Sequence, residues 1–166
     1  MAIKLRPLGS RDLGHIMTWV NDPEVVKNFQ NFDKKFSRQD EIKYVNKILK
    51  SRSDFAFSVF DGPDYIGQCG IHQISWQNKL GRISLIIKRE HWNKGYAQRI
   101  LPLLVKYAFK KLKLHKVWLM YWKENTKAGH LYSKLGFKKE GVLKDEYFWR
   151  GKYHDIIRMA MINSRG

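Results

Sequence analysis

The chain has one cysteine, Cys69, and four prolines among 166 residues, and only 15 acids stand against its 32 lysines and arginines. A single thiol excludes an intramolecular disulfide and a cysteine-rich metal site, which fits a reducing compartment. Isolated within an apolar stretch, Cys69 reads as core filler and not as a nucleophile. Long apolar runs are missing too: ILPLLV is far short of the ~20 residues that span a bilayer, and MAIKLRPL lacks the apolar segment of an export signal. No membrane partner is expected, and the expected location is cytoplasmic. The shortage of acids leaves a net charge of +17, which attracts polyanions, anionic cofactors or acidic protein surfaces without choosing among them. Because Lys34, Lys43, Lys47, Lys106, Lys110 and Lys139 are scattered through the chain, most of the lysines read as solvated faces.

What is present suits one domain over residues 1–166, since 43% of the residues are apolar and no linker or repeat divides them. Ile3 to Leu5 opens as a strand, and Ser10 reads as the N-cap of a helix running to about Val20. Asp22-Pro23 marks a second helix start, and Ser37 with Asp40 and Glu41 resembles a capping box ahead of Ile42, Val45, Ile48 and Leu49. From Asp54 the texture changes. FAFSVF, YIGQCGIHQISW and RISLII, separated by short turns, form a three-stranded meander. Helical spacing returns at Ala97, Ile100, Leu101, Leu104, Val105, Ala108 and Leu112, with Pro102 as an objection inside it. A strand at Val117–Trp122, a helix at Asn125–Leu135 closed by Gly136, and two strands joined by a turn at Arg150–Lys152 complete the order.

Two constellations carry chemistry. The first is Leu85 to Ala108, where an apolar strand runs through a turn holding Gly95 into a long helix. Unpaired N–H groups at that helix start suit a phosphate, Lys94 sets a cation beside the turn, and small Ala97 allows close approach. The proline-free strand end can pair with an extended amide-containing ligand. In the second, Asn125, Ala128 and Tyr132 share one helical face, and the tyrosine offers a phenol able to protonate a thiolate leaving group.

At these residues the chain resembles the GNAT superfamily of acetyl-CoA-dependent N-acetyltransferases. WNKGYA, from Trp92 to Ala97, is similar to that family's Q/R-x-x-G-x-G/A pyrophosphate loop, with Trp92 where the pattern has Gln or Arg. N-x-x-A-x-x-x-Y from Asn125 to Tyr132, followed by KLGF, is similar to its second signature. LRPL, NDPEV and RGKYHD further resemble the branch of ribosomal-protein acetylases of the RimJ and RimL type. The resemblance implies an α/β (α+β) fold: a mixed, strongly bent sheet of about seven strands and about four helices, whose fourth and fifth strands splay around acetyl-CoA. It implies that the backbone of Leu85, Ile86 and Ile87 pairs with the pantetheine amides and polarises the thioester. Trp92, Asn93, Lys94, Gly95, Tyr96 and Ala97 would hold the pyrophosphate, Asn125 and Ala128 would line the pantetheine arm, and Tyr132 would protonate the departing thiolate. No metal is required.

The strand from Arg82 to Lys88 contains no acid to serve as a base. A lysine-like amine, pKa ~10.4, needs about 4 to 5 kcal/mol to lose its proton at pH 7, and an α-amine about 1. The expected acceptor is therefore a weakly basic primary amine such as a protein N-terminus, near a ribosome or another polyanion. The alternatives are a small molecule, either a nucleotide-linked amino sugar or a polyamine, or a basic nucleic-acid-binding module on the same scaffold. Glu41, His72, Glu90 and Tyr147 are further base candidates, with His72 read foremost as a polar-face residue. Trp76, Tyr147, Phe148 and Trp149 are candidate walls for an acceptor pocket. The expected assembly is a monomer or homodimer.

Overall fold

Alternating apolar residues build seven strands: β1 (Ile3–Pro7), β2 (Phe55–Asp61), β3 (Asp64–Ser75), β4 (Leu80–Ile87), β5 (Lys116–Trp122), β6 (Lys138–Trp149) and β7 (Lys152–Ile162). In the computed structural model, which describes residues 2–27, 29 and 34–164, they form one mixed sheet. Its order is β1-β2-β3-β4-β5-β7-β6, antiparallel throughout except where β4 meets β5.

Among the described residues five helices accompany the sheet: α1 (Leu13–Ile16), α2 (Pro23–Val26), α3 (Arg38–Lys50), α4 (Tyr96–Lys110) and α5 (Thr126–Lys134). The anticipated long helix from Ser10 is instead a 3-10 turn at Ser10–Asp12 followed by the single turn of α1. The polar anchor there is Asp12 and not Ser10. Its fully buried carboxylate accepts from the Gly9 N–H at 2.9 Å and pairs with Arg6, drawing the chain into a tight turn. The other start signals hold. Asp22 accepts from Glu24 N–H ahead of Pro23, and Ser37 and Asp40 cap α3 reciprocally.

The helix α4 continues through Pro102, which lies exposed on the solvent side. Burial of Ile100, Leu101, Leu104 and Val105 is worth roughly 1.5–3 kcal/mol per side chain, and together the four outweigh the ~3 kcal/mol that an interior proline costs.

The sheet separates two apolar layers. On one face α4 and α5 cover Phe57, Val59, Ile71, Ile83, Val117 and Leu119. On the other, α1 to α3 pack through Ile16, Trp19, Val25 and Val45 onto Ala56 and Tyr65. Cys69 is buried in the first layer, where desolvation pushes its thiol pKa well up, so it behaves as the filler its context suggested.

Candidate active site

Strands β4 and β5 pair over three residues, Leu80–Arg82 against Lys116–Trp118, and then part. Residues 83–87 therefore present an unpaired edge to a gap whose far wall is the continuation of β5, itself paired to β7 along its whole length. The register decides which backbone groups enter the gap. Lys88 N–H donates to Ile66 C=O, and every β3–β4 pair keeps the same offset down to His72 and Arg82. Antiparallel alternation then turns the N–H and C=O of Ile86 toward β3 and those of Leu85 and Ile87 toward the gap. The expectation for Leu85, Ile86 and Ile87 is thereby corrected at its centre: Ile86 spends its backbone groups on the sheet. The Ile87 carbonyl is also occupied, since it accepts from the Trp92 indole at 2.8 Å. What remains for a ligand is both groups of Leu85 and the N–H of Ile87.

That indole bond straps the turn to the strand end and fixes where α4 begins, and the Trp92 ring packs against the α1–α3 layer. Asn93 at φ 60° and Gly95 at φ 75° wind the turn tightly. Gly95 is the N-cap and supplies no side-chain cap, and no acid stands in the first turn of α4. The opening N–H groups are therefore left for an anion, with open space where a Gly95 side chain would stand. Lys94 is exposed beside them, and Ala97 is half-buried. Tyr96 directs its side chain away, its hydroxyl donating to Asp61 at 3.2 Å alongside Arg99, so only its backbone faces the anion site.

The structure brings the second constellation alongside the first. Lys127, in the first turn of α5, donates to the Asn93 side chain and ties the two helix starts together. Asn125 is the N-cap of α5, its Oδ1 accepting from Ala128 N–H at 3.2 Å, which leaves its amide N–H groups for a ligand. One turn further, the Tyr132 ring packs at 5.6 Å from Tyr121 and 6.0 Å from Phe137. Among the described residues nothing hydrogen-bonds its hydroxyl. Burial, with a smaller contribution from Tyr121, pushes its pKa up to about 12, so the phenol holds its proton at neutral pH.

The opposite face of β4 is unexpectedly polar. Side-chain alternation puts Arg82, Ser84 and Ile86 on the α3 side, opposite Ile83, Leu85 and Ile87. His72, read as a polar-face residue, is only 8% exposed there, between Asp54 Oδ1 at 3.1 Å and Ser84 Oγ at 2.9 Å. Tyr44 of α3 accepts from Gln68 at 3.0 Å on this side, and the Nε of Arg82 is buried without a hydrogen-bond partner. Of the other base candidates, Glu41 is buried under α3 with its pKa raised, first by desolvation and then by Asp40. Glu90 is an exposed partner of Lys88 and His91. Tyr147 packs edge-on against Trp122 at 5.4 Å. No pattern in the sequence flagged Asp54 or Ser84, which are 18 and 12 positions from His72.

Along the far wall, Trp122 gathers Tyr147, Trp149 and His154, and Arg158 lies 4.0 Å over the Trp118 ring. The anticipated aromatic wall is thus half assembled. Phe148 is 60% exposed against Tyr153, and Trp76 stands apart, edge-on to Phe55. A separate groove of about 970 Å³ between the back of α4 and the end of β7 includes Leu101, Val105, Phe109 and Met161 and contains none of the strand edge Leu85–Ile87, the turn Trp92–Ala97, Asn125, Ala128 or Tyr132.

Residues 2–138 match the acetyltransferase (GNAT) domain family. The chain is 32% identical over 165 residues to the spermidine N(1)-acetyltransferase of Vibrio cholerae, covering 98% of this chain and 94% of that protein. To the Escherichia coli K12 enzyme of the same name it is 32% identical over 161 residues, 96% of this chain and 86% of the relative. A putative ribosomal N-acetyltransferase of Bacillus subtilis matches 63% of the chain at 26% identity, covering 56% of that protein. The crystal structure of the Vibrio cholerae spermidine N-acetyltransferase with CoA and spermine superposes with a TM-score of 0.91 at 31% identity, over 98% of this chain and 96% of that one. A parted β4–β5 pair, an uncapped helix start at Gly95 and near full-length likeness to these enzymes lead to one conclusion: the chain belongs to the GNAT family and is an acetyl-CoA-dependent N-acetyltransferase.

Proposed function

We propose that the enzyme acetylates a primary amine of the polyamine class, by direct attack of the amine on the thioester of acetyl-CoA. The observation that carries this reading is the near full-length likeness to two spermidine acetyltransferases and to a structure holding CoA and spermine. Acetyl-CoA supplies an activated acyl group, and the chain's own residues position and discharge it. Leu85 and the Ile87 N–H would pair with the pantetheine amides. Residues 92–97 would hold the pyrophosphate through backbone N–H groups, with Trp92 acting by fastening the turn. Asn125 and Ala128 would border the pantetheine arm, and Tyr132 would give its proton to the thiolate. Holding donor and acceptor together at the gap converts a bimolecular encounter into an effectively unimolecular one. A cytoplasmic location suits an enzyme that draws on acetyl-CoA.

A second reading is favoured by a specific observation. The β4 face toward α3 carries Arg82 and no acid, and the chain's net charge of +17 repels a polycation. Both suit a weakly basic amine on an anionic scaffold, either an acidic protein N-terminus or a nucleotide-linked amino sugar. Release of free CoA, measured across spermidine, spermine, an alanyl peptide with acidic neighbours, a lysine peptide and a nucleotide-linked amino sugar, separates the two. The first reading expects spermidine or spermine to give the highest kcat/KM. A tenfold preference for either anionic acceptor would replace it with the second.

A further inference from the structure

We infer that Ser84, His72 and Asp54 form a proton relay that takes the proton from the acceptor amine as it attacks. The inference rests on the acetyl-transfer reading and supplies the base that β4 lacks. Its first support is geometric. Asp54 Oδ1 lies 3.1 Å from His72 Nδ1, and His72 Nε2 lies 2.9 Å from Ser84 Oγ. A carboxylate can only accept, so Nδ1 carries the imidazole proton, Nε2 is left with its lone pair, and the Ser84 hydroxyl donates to it. The Ser84 oxygen then offers its own lone pairs outward.

The second support is position. The last β4–β5 pair is Arg82 with Trp118, and Ser84 is the second residue beyond it, on the strand bordering the gap. Tyr132 belongs to the layer covered by α4 and α5, whereas the Ser84 side chain is on the face toward α3. The acid for the thiolate and the relay for the amine therefore reach the gap from opposite faces of the sheet, so neither blocks the other's approach to the thioester carbonyl.

A third support is that the backbone makes room for the imidazole. A Cβ at Gly70 would stand 2.5 Å from His72 Nε2 and 2.9 Å from the Phe55 carbonyl, so only glycine lets the ring lie flat against its own strand. Asp54 is fixed in turn by Ser51 Oγ at 2.6 Å and the Gln73 N–H at 3.3 Å.

The charged groups around the ring keep it ready to accept. Asp54 faces Nδ1, Arg82 stands beside it on β4, and Tyr44 of α3 is within electrostatic reach of Glu41, Asp54 and Arg82. Desolvation, and then the Arg82 cation, hold the His72 pKa below its usual value despite the pull of Asp54, so the ring is neutral at pH 7. Burial pushes Asp54 upward, but the donors from Ser51, Gln73 and His72 together outweigh it and keep the carboxylate ionised.

The step balances without further reagents. The amine, having left its ammonium proton in water, bonds through its nitrogen lone pair to the acetyl carbon. Its proton passes to Ser84 Oγ while the Ser84 hydroxyl proton passes to His72 Nε2. The C–S bond then breaks and the sulfur takes the Tyr132 proton. Water receives the proton from the imidazolium and returns one to the tyrosinate.

The experiment compares wild type, Ser84→Ala, His72→Gln and the double variant, using whichever of the five acceptors named above the wild type turns over fastest. Each single variant is expected to lower kcat about 10²-fold, within the usual range for general-base catalysis, with acetyl-CoA affinity by calorimetry unchanged. The double variant should be no slower than either single one, because the residues act as one unit. The acid limb of the kcat–pH profile, set below pH 6.5 in the wild type, should disappear in both single variants, which a packing role for His72 would not cause. Losses under threefold, or losses that multiply in the double variant, overturn the relay. A burst of free CoA before any amine is added would also overturn it, by making Ser84 an acylated nucleophile. A wild type that turns over none of the five acceptors named above would instead defeat the primary-amine reading on which the relay rests.

Discussion

The two faces of the β4–β5 gap are built from different materials. Toward α4 and α5 the useful groups are almost all backbone: the N–H groups opening α4, the edge of Leu85 and Ile87, and one phenol. Toward α3 they are side chains held by other side chains: Asp54, His72, Ser84, Arg82 and Tyr44. A backbone site recognises what every substrate pair shares, the cofactor, and tolerates sequence change as long as turns and register persist. A side-chain site can be rewritten one residue at a time, which suits the half of the cleft that must tell one amine from another.

Substitutions that disturb the backbone groups should move acetyl-CoA affinity, and those confined to side chains that act on the reacting atoms should leave it alone. The largest effect is expected from Gly95→Glu, which forces a residue with a Cβ into φ 75° and sets a negative charge at the anion site. Acetyl-CoA affinity by calorimetry should fall more than 100-fold, and retained affinity would remove the turn from the cofactor site. Next comes Tyr132→Phe, which keeps the ring packing and removes the proton donor. It should lower kcat about 10²-fold with little change in acetyl-CoA affinity. Since burial pushes the Tyr132 pKa up to about 12, the wild type should show no alkaline loss of kcat from this group up to pH 10. An unchanged rate in the variant would exclude the phenol from the reaction.

A smaller change is expected from Trp92→Phe, which keeps an aromatic ring but removes the 2.8 Å bond to Ile87. At about 1 kcal/mol for such a bond, the KM for acetyl-CoA should rise roughly fivefold, and a change in the amine KM alone would contradict the division of the cleft. Smallest is Glu140→Gln, at the side-chain face. Glu140 pairs with Lys116 and with Arg158 at 3.0 Å, and Arg158 lies over Trp118. Lys116 first, then Arg158, hold the Glu140 pKa below its usual value. The stabilisation is therefore present above about pH 4.5 and is lost as pH falls through the folded-state value. Exposed to solvent, the cluster should contribute at most about 1 kcal/mol, seen as a small drop in thermal midpoint at pH 7 that shrinks as the pH is lowered. A midpoint shift that grows as the pH is lowered would contradict this sign.

The Gly95 turn and the capped start of α5, which the proposed cofactor site uses, were legible in the sequence because their signals are local. Gly95 before a helical period, and Asn125 three and seven positions from Ala128 and Tyr132, encode turns and faces within a dozen residues. Local rules misled where a distant partner intervened. Ser10 looked like a cap, but the pairing of Arg6 with the buried Asp12 sets the turn, and Ile86 looked equivalent to its neighbours until β3 claimed its backbone. The resemblance to ribosomal-protein acetylases drew on short motifs, whereas near full-length likenesses include two spermidine enzymes.

The sequence by itself determined the order of elements, the glycine turn at the start of α4, the capped start of α5 and the absence of an acid from β4, because each depends on residues close together in the chain. Only the tertiary structure decided which edges of β4 stay open and that Asp54, His72 and Ser84 meet. Those outcomes follow from strand register, and a register is set by packing across the whole sheet: one residue of slip would send every side chain to the other face.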